Sequence, residues 1–155
     1  MSARSGIVKA MAKGIAESLD GTGDYVNNIY GNVTNKTTHF ESINSFPYIS
    51  VTPGNESRED MPSNFSWGSL VVHIRLYVEN TEDAQGELES LISDIENYLD
   101  THLNLSYNVS TSRGVQIHET VDNTITAIST DEGLLDPNAL GEVALIVRYE
   151  KTRRI

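Results

Sequence analysis

The 155-residue sequence predicts an α+β domain, with two main helices packed on a mainly antiparallel or mixed sheet of four to five strands and long hairpin or loop insertions. Three observations carry that prediction. Two stretches repeat apolar residues at helical spacing, and two others alternate them residue by residue. The order along the chain is helix, strand, strand, helix, strand, strand, with no series of parallel crossovers. A chain of this length is expected to form one domain over residues 1–155, burying roughly 70% of the surface its unfolded form exposes.

The first helix is expected to be capped by Ser5, to carry Ile7, Val8, Met11, Ile15 and Leu19 on one face, and to stop at Asp20-Gly21. Residues Gly21–Ser45, rich in Asn, Thr and Gly, read as irregular connection with one short strand near Ile29–Val33. Phe46–Thr52 reads as a strand entered through Pro47, suited to an edge because proline donates nothing to a ladder. Pro53–Ser69 holds turn residues among Glu56, Arg58, Glu59 and Asp60, so it reads as a long exposed loop or hairpin tip. Within it Met61, Phe65 and Trp67 are candidate anchors for a partner, since exposed aromatics in polar loops often fill that role. The alternative is that Phe65 and Trp67 start the next strand and cap the core.

Leu70–Val78 alternates strictly and reads as a central strand. Asn80-Thr81-Glu82-Asp83 then caps a second helix with Leu88, Leu91, Ile92, Ile95, Tyr98 and Leu99 on one stripe. Its acids, Glu82 to Glu96, read as a solvated face, with a metal site as the alternative. Strand character returns at Leu105–Val109 and at Asn123–Thr130, which turns through Asp131-Glu132-Gly133 into Glu142–Glu150. That last strand has apolar groups on both faces, so a central place is expected. Lys151-Thr152-Arg153-Arg154 reverses the charge sign and reads as a tail that pairs with acids of a neighbour.

Composition narrows function. Acidic residues number 22 against 11 basic ones, a formal net charge of −11 that disfavours nucleic-acid binding by counterion release. With 0 cysteines there are no disulfides, thiolate nucleophiles or sulfur-ligated zinc, which fits assembly in a reducing cytoplasm. No apolar run approaches the roughly 18 residues of a membrane span, and Met1–Gly6 carries no secretory signal. His39, His73, His102 and His118 are scattered, and no phosphate-binding loop, dinucleotide fingerprint or nucleophile elbow is present. His118-Glu119 and the pair Glu56 and Glu59 are the residual acid–base candidates. Six Asn-x-Ser/Thr sites, at Asn32, Asn35, Asn55, Asn64, Asn104 and Asn108, reflect a hydrated loop composition.

Three runs point to a family. Ser129-Thr130-Asp131-Glu132-Gly133-Leu134-Leu135, followed by Pro137 and the strand ending Val147-Arg148-Tyr149, resembles the C-terminal hairpin of siphophage tail terminator proteins, particularly those of T5-like phages. Asn27-Asn28-Ile29-Tyr30-Gly31-Asn32-Val33 resembles the segment after their first helix. Phe46-Pro47-Tyr48-Ile49-Ser50-Val51, with the strand led by Trp67 and an acidic amphipathic helix behind it, is similar in order to lambda-like terminators. The resemblance covers nearly the whole chain in element order and departs most in Pro53–Ser66 and Leu103–Glu119.

The resemblance implies a structural protein of the virion, with no catalytic residues, cofactor or metal. It implies a homo-hexameric ring on the last ring of the tail tube, which stops tube polymerisation and offers a surface for head joining. Its partners would be the tail tube protein and a head-completion or connector protein, with DNA passing through the lumen unbound and no membrane involved. Assembly would occur in the host cytoplasm, at the head-proximal end of the tail. On that reading Met61, Phe65, Trp67, Asp131, Glu132, Leu134 and Leu135 are candidate partner or tube contacts. Arg148, Arg153 and Arg154 are candidate subunit contacts. A head-completion or connector protein and, further off, a small enzyme are the rival readings.

Overall fold

The computed structural model describes residues 2–152. Helix α1 spans Ala3–Ser18 and α2 spans Ala84–Thr101. The strands are β1 (Val33–Thr34), β2 (Tyr48–Met61), β3 (Phe65–Glu79), β4 (Ser106–Thr111), β5 (Gly114–Glu119), β6 (Asp122–Thr130) and β7 (Asn138–Thr152). Five of them form one mixed sheet in the order β1-β2-β3-β7-β6, and β4-β5 is a separate hairpin. Only the two-residue β1–β2 pair is parallel; the other pairs are antiparallel. The predicted α+β class, its two helices and its mixed sheet are all present.

Alternation decides the faces. On β3 Leu70, Val72, Ile74, Leu76 and Val78 are fully buried, and on β7 Val143, Leu145, Val147 and Tyr149 are too. They meet Ile7, Met11 and Ile15 of α1 and Leu88, Leu91 and Ile95 of α2 in one apolar cluster. Each such side chain contributes about 1.5–3 kcal/mol by leaving water. Helix α1 lies on β1, β2 and β4, while α2 lies on β3 and β7. Among the described residues, neither α-helix packs on the opposite face of the sheet. The segment before β2 covers one part of it: Ser50 Oγ donates to Lys36 O at 3.0 Å, and Phe40 packs against Tyr77.

Several boundaries differ from the sequence reading, each for a local reason. Ser2, not Ser5, caps α1: its hydroxyl accepts the Ser5 amide at 3.2 Å. Ile29 is buried by a bond from its amide to Leu19 O, and only Val33–Thr34 form the short strand. Of the two readings of Pro53–Ser69, exposed loop or hairpin tip, the structure shows the hairpin. β2 runs on to Met61 and β3 begins at Phe65, and Ser63 and Asn64 at the tip have φ of 67° and 62°. Ladder hydrogen bonds hold this arm, so its charged residues need no core; Pro53 is accommodated at a register shift between Pro53 and Glu56. Strand β5 had no counterpart in the sequence reading, because all six of its residues are exposed and no apolar alternation marks it. Lys151 and Thr152 belong to β7, and Arg153 and Arg154 lie outside the described residues.

Candidate functional site

The candidate contacts fall at two poles. Phe65 pairs with Thr152 at one end of the β3–β7 ladder, and Glu79 pairs with Asn138 at the other. These 15-residue strands separate the ends by roughly 46 Å at 3.3 Å per residue. Met61, Phe65, Trp67 and Arg148 gather at the hairpin pole, whereas Asp131, Glu132, Leu134 and Leu135 sit at the turn pole.

At the hairpin pole, Phe65 and Trp67 occupy the β3 positions that point away from the helices, each half-buried, while the alternating Ser66 and Gly68 are buried. They do start the strand, yet they lie off the main core. Phe65 stands edge-on to Trp67 with ring centres 4.9 Å apart, and the Arg148 guanidinium sits 5.0 Å over the indole. Arg148 also faces Asp122 at 3.8 Å. Met61 is the direct cross-strand neighbour of Phe65. The result is an amphipathic aromatic–guanidinium surface, of the composition enriched where proteins meet.

A polar clasp on the opposite side of the sheet braces this pole. The Glu56 carboxylate on β2 accepts from the Tyr149 hydroxyl and the Lys151 ammonium on β7, so it reaches across β3. Gly68 makes room: a Cβ there would stand 2.8 Å from the Tyr149 ring. Burial alone would raise the Glu56 pKa, but the hydrogen bonds from Lys151 and Tyr149, with the charge of Lys151, hold it below its ordinary value. Burial, then the bond to Glu56, pushes Tyr149 well above the usual phenol range. Sequence reading missed this clasp, because only the register brings Glu56 to Tyr149.

At the turn pole a single carboxylate organises the loop. Asp131 accepts from Gln85 Nε2 at 3.0 Å and from the amides of Leu135 and Leu140 at 3.1 Å each. Burial opposes its ionisation, but these bonds, led by that from Gln85, keep its pKa below the ordinary value. Glu132 and Gly133 take φ of 56° and 84°, which turns the chain and pushes Leu134 outward to 85% exposure; Leu135 is 42% exposed. Asp131 is thus committed inside the turn, while Leu134 is its outward apolar tip.

A second loop is also pinned. Asp94 of α2, buried, accepts from the amides of Val26 and Asn27 and from Asn27 Nδ2, the last at 2.8 Å. That loop leaves Val26 and Tyr30 exposed, and Tyr30 has φ of 54°. The Asn27–Val33 run quoted above therefore begins with the residue Asp94 holds. His118, one residual acid–base candidate, stacks on Tyr107 with ring centres 5.9 Å apart, and Glu119 faces Ser106 across the hairpin. The other pair is divided, since Glu56 is engaged in the clasp and Glu59 is exposed opposite Trp67. Among the described residues no group of three or more His, Asp or Glu side chains is placed to hold a metal ion.

Comparison with known proteins places this geometry in context. The family described as Bacteriophage Tail Tube Terminator Protein matches residues 1–155. The tail tube terminator protein p142 of Escherichia phage T5 is 41% identical over 157 aligned positions, covering 99% of this chain and 98% of that protein.

Proposed function

Because the chain belongs to the bacteriophage tail tube terminator family, and is thus a structural protein of the phage tail, we propose that it acts as a homo-hexameric ring that caps the tail tube. The ring stops tube polymerisation and presents the surface that a head-completion or connector protein joins, at the head-proximal end of the tail. It assembles in the host cytoplasm. The observation that carries this reading is the chemical difference between the two poles of one sheet. A repeating head-to-tail polymer ends when a subunit matches it on one side and fails to regenerate that match on the other. An aromatic–guanidinium pole and a leucine-tipped acidic turn, roughly 46 Å apart, are such unlike ends.

The hairpin pole, with Met61, Phe65 and Trp67, takes the tube; the turn pole, with Leu134 and Leu135, takes the head side. Arg153 and Arg154 bridge to acids of adjacent subunits, and Arg148, held over Trp67 and beside Asp122 of its own chain, lies at the same subunit contact. The net charge of −11 suits a lumen that DNA crosses without the adhesion that counterion release would supply.

The test is the mass of the protein by native mass spectrometry, alone and with tube protein, combined with pull-downs of each partner. A sixfold species, alone or on the tube, is expected. Trp67→Ala is expected to lose tube capture and keep head-side capture, and Leu134→Ser to do the reverse. A monomer indifferent to tube sinks the ring, and equal loss of both partners by either variant sinks the division between poles.

A further inference from the structure

Sheet edges expose unpaired backbone groups, and stable monomers guard them with charge, proline or brevity. Two edges of this sheet are guarded: β1 is two residues long, and the outer part of β2 carries Arg58, Glu59 and Asp60. The far edge of this sheet and the outer strand of the separate β4-β5 hairpin are not. Strand β6 is the last strand in the sheet order, and from Asn123 to Thr130 it contains no charged residue and no proline. Thr124 and Thr126–Ser129 are exposed, with Ile128 at 42%. A register shift between Ile125 and Ala127 bends the strand without adding charge; the Thr126 hydroxyl there bonds back to Ala144 O at 3.1 Å.

The second is β5. Among the described residues it pairs only with β4, every one of its residues is exposed, and Val115 and Ile117 are 66% and 74% exposed on one side. Two-stranded hairpins are marginal alone. This one is held through β4, whose Tyr107 is buried against α1 and Tyr149, so its outer strand is presented on a fixed base.

We infer that β5 of one copy adds to the β6 edge of the next, and that this strand addition joins the subunits of the ring. The inference rests on the ring reading above and specifies its joint. The occupant is a second copy because each copy offers one open strand of each kind, unlike and equal in number. Pairing them head to tail leaves one of each open at every stage until a ring closes, which abolishes both edges. Main-chain bonds supply the contact, and Val115, Ile117 and Ile128 supply its apolar flank. In a chain of net charge −11, each of these strands carries a single acid at one end, Glu119 on β5 and Asp122 on β6, so the rest of their length is where copies can approach with little mutual repulsion.

The chain has 0 cysteines, so introduced pairs report contact without background. Ile117→Cys is combined in turn with Thr124→Cys, Ala127→Cys or Ser129→Cys in the full-length protein, assembled with tube protein if required and oxidised. The expected result is a ladder of disulfide-linked multimers up to the ring for at least one pair, with none from any single variant. Independently, Thr124→Lys with Ala127→Lys should reduce ring population at least tenfold in native mass spectra. Circular dichroism should show an unchanged fold. Dimers from Ala127→Cys alone would mean a twofold β6–β6 pairing and overturn the inference. So would a ladder from Arg58→Cys with Ala127→Cys, or intact rings in the lysine variant with no ladder from any pair. A wild-type chain that never assembles overturns the ring reading itself, together with this joint.

Discussion

The two poles of the sheet are built by opposite means. The hairpin pole is clasped across three strands, with Glu56 tied to Tyr149 and Lys151 beneath the Phe65–Trp67 surface. The turn pole hangs on one carboxylate, Asp131, and holds its leucine tip out in water. A contact surface laid over buried, mutually dependent groups shares its residues with the fold. One carried on a self-contained turn does not. Changes at the first pole should therefore disturb stability and binding together, while changes at the second separate them.

Two glycines break the comparison most sharply. Gly68 is required for close approach, so Gly68→Val forces a branched side chain against the Tyr149 ring 2.8 Å away. Overpacking there should cost about 3 kcal/mol and take tube capture with it. Gly133 is required only for its φ of 84°, with nothing nearer than Gln85 Cγ at 4.0 Å, so Gly133→Ala should cost about 1 kcal/mol. Urea unfolding of both variants decides the matter; equal losses would erase the distinction between a packed and a free-standing pole.

The clasp gives a pH signature of intermediate size. Glu56 ionises more easily in the folded chain than in the unfolded one. The stability it contributes is therefore present above the unfolded value of about 4.3 and is lost as pH falls through the lower folded value. Glu56→Gln should cost about 2 kcal/mol at neutral pH, and the gap to wild type should close below about pH 4.3. Asp131 has the same sign, with its window below the ordinary aspartate value of 3.8. A gap for Glu56→Gln that stays constant from pH 7 to pH 3 would show that the clasp is packing and not charge.

The sequence was legible where burial imposes a period. Leu70–Val78 and Glu142–Glu150 alternate because one side of each meets the helices, and their central positions between β2 and β6 follow. It was opaque where backbone bonds alone hold a strand. Residues 57–60 of the arm and all of β5 are exposed, so no apolar rhythm marks them. Residue types at the turn pole were legible as a turn, but their roles were not. Asp131 and Leu134 look alike as candidates until hydrogen bonds show the first facing inward and the second outward. The clasp and the bonds from Asn27 to Asp94 depend on partners 67 to 95 positions apart in the chain, which no local pattern reports.

The smallest effect on the fold should come with the cleanest effect on binding. Leu134 is 85% exposed, so Leu134→Ser removes almost no buried surface and should change stability by less than about 0.5 kcal/mol. If the turn pole is the head-side contact, an apolar tip of this kind fills a socket in the partner, and its loss should weaken that capture about tenfold or more. Asp131→Asn sharpens the point from within the turn. It keeps an acceptor for only one of the Leu135 and Leu140 amides, which bond different carboxylate oxygens, and removes the charge, so the tip stays outward on a looser base and capture should fall less than with Leu134→Ser. Should Asp131→Asn weaken capture more than Leu134→Ser, the partner reads the acidic turn itself, and the leucine tip is incidental to it.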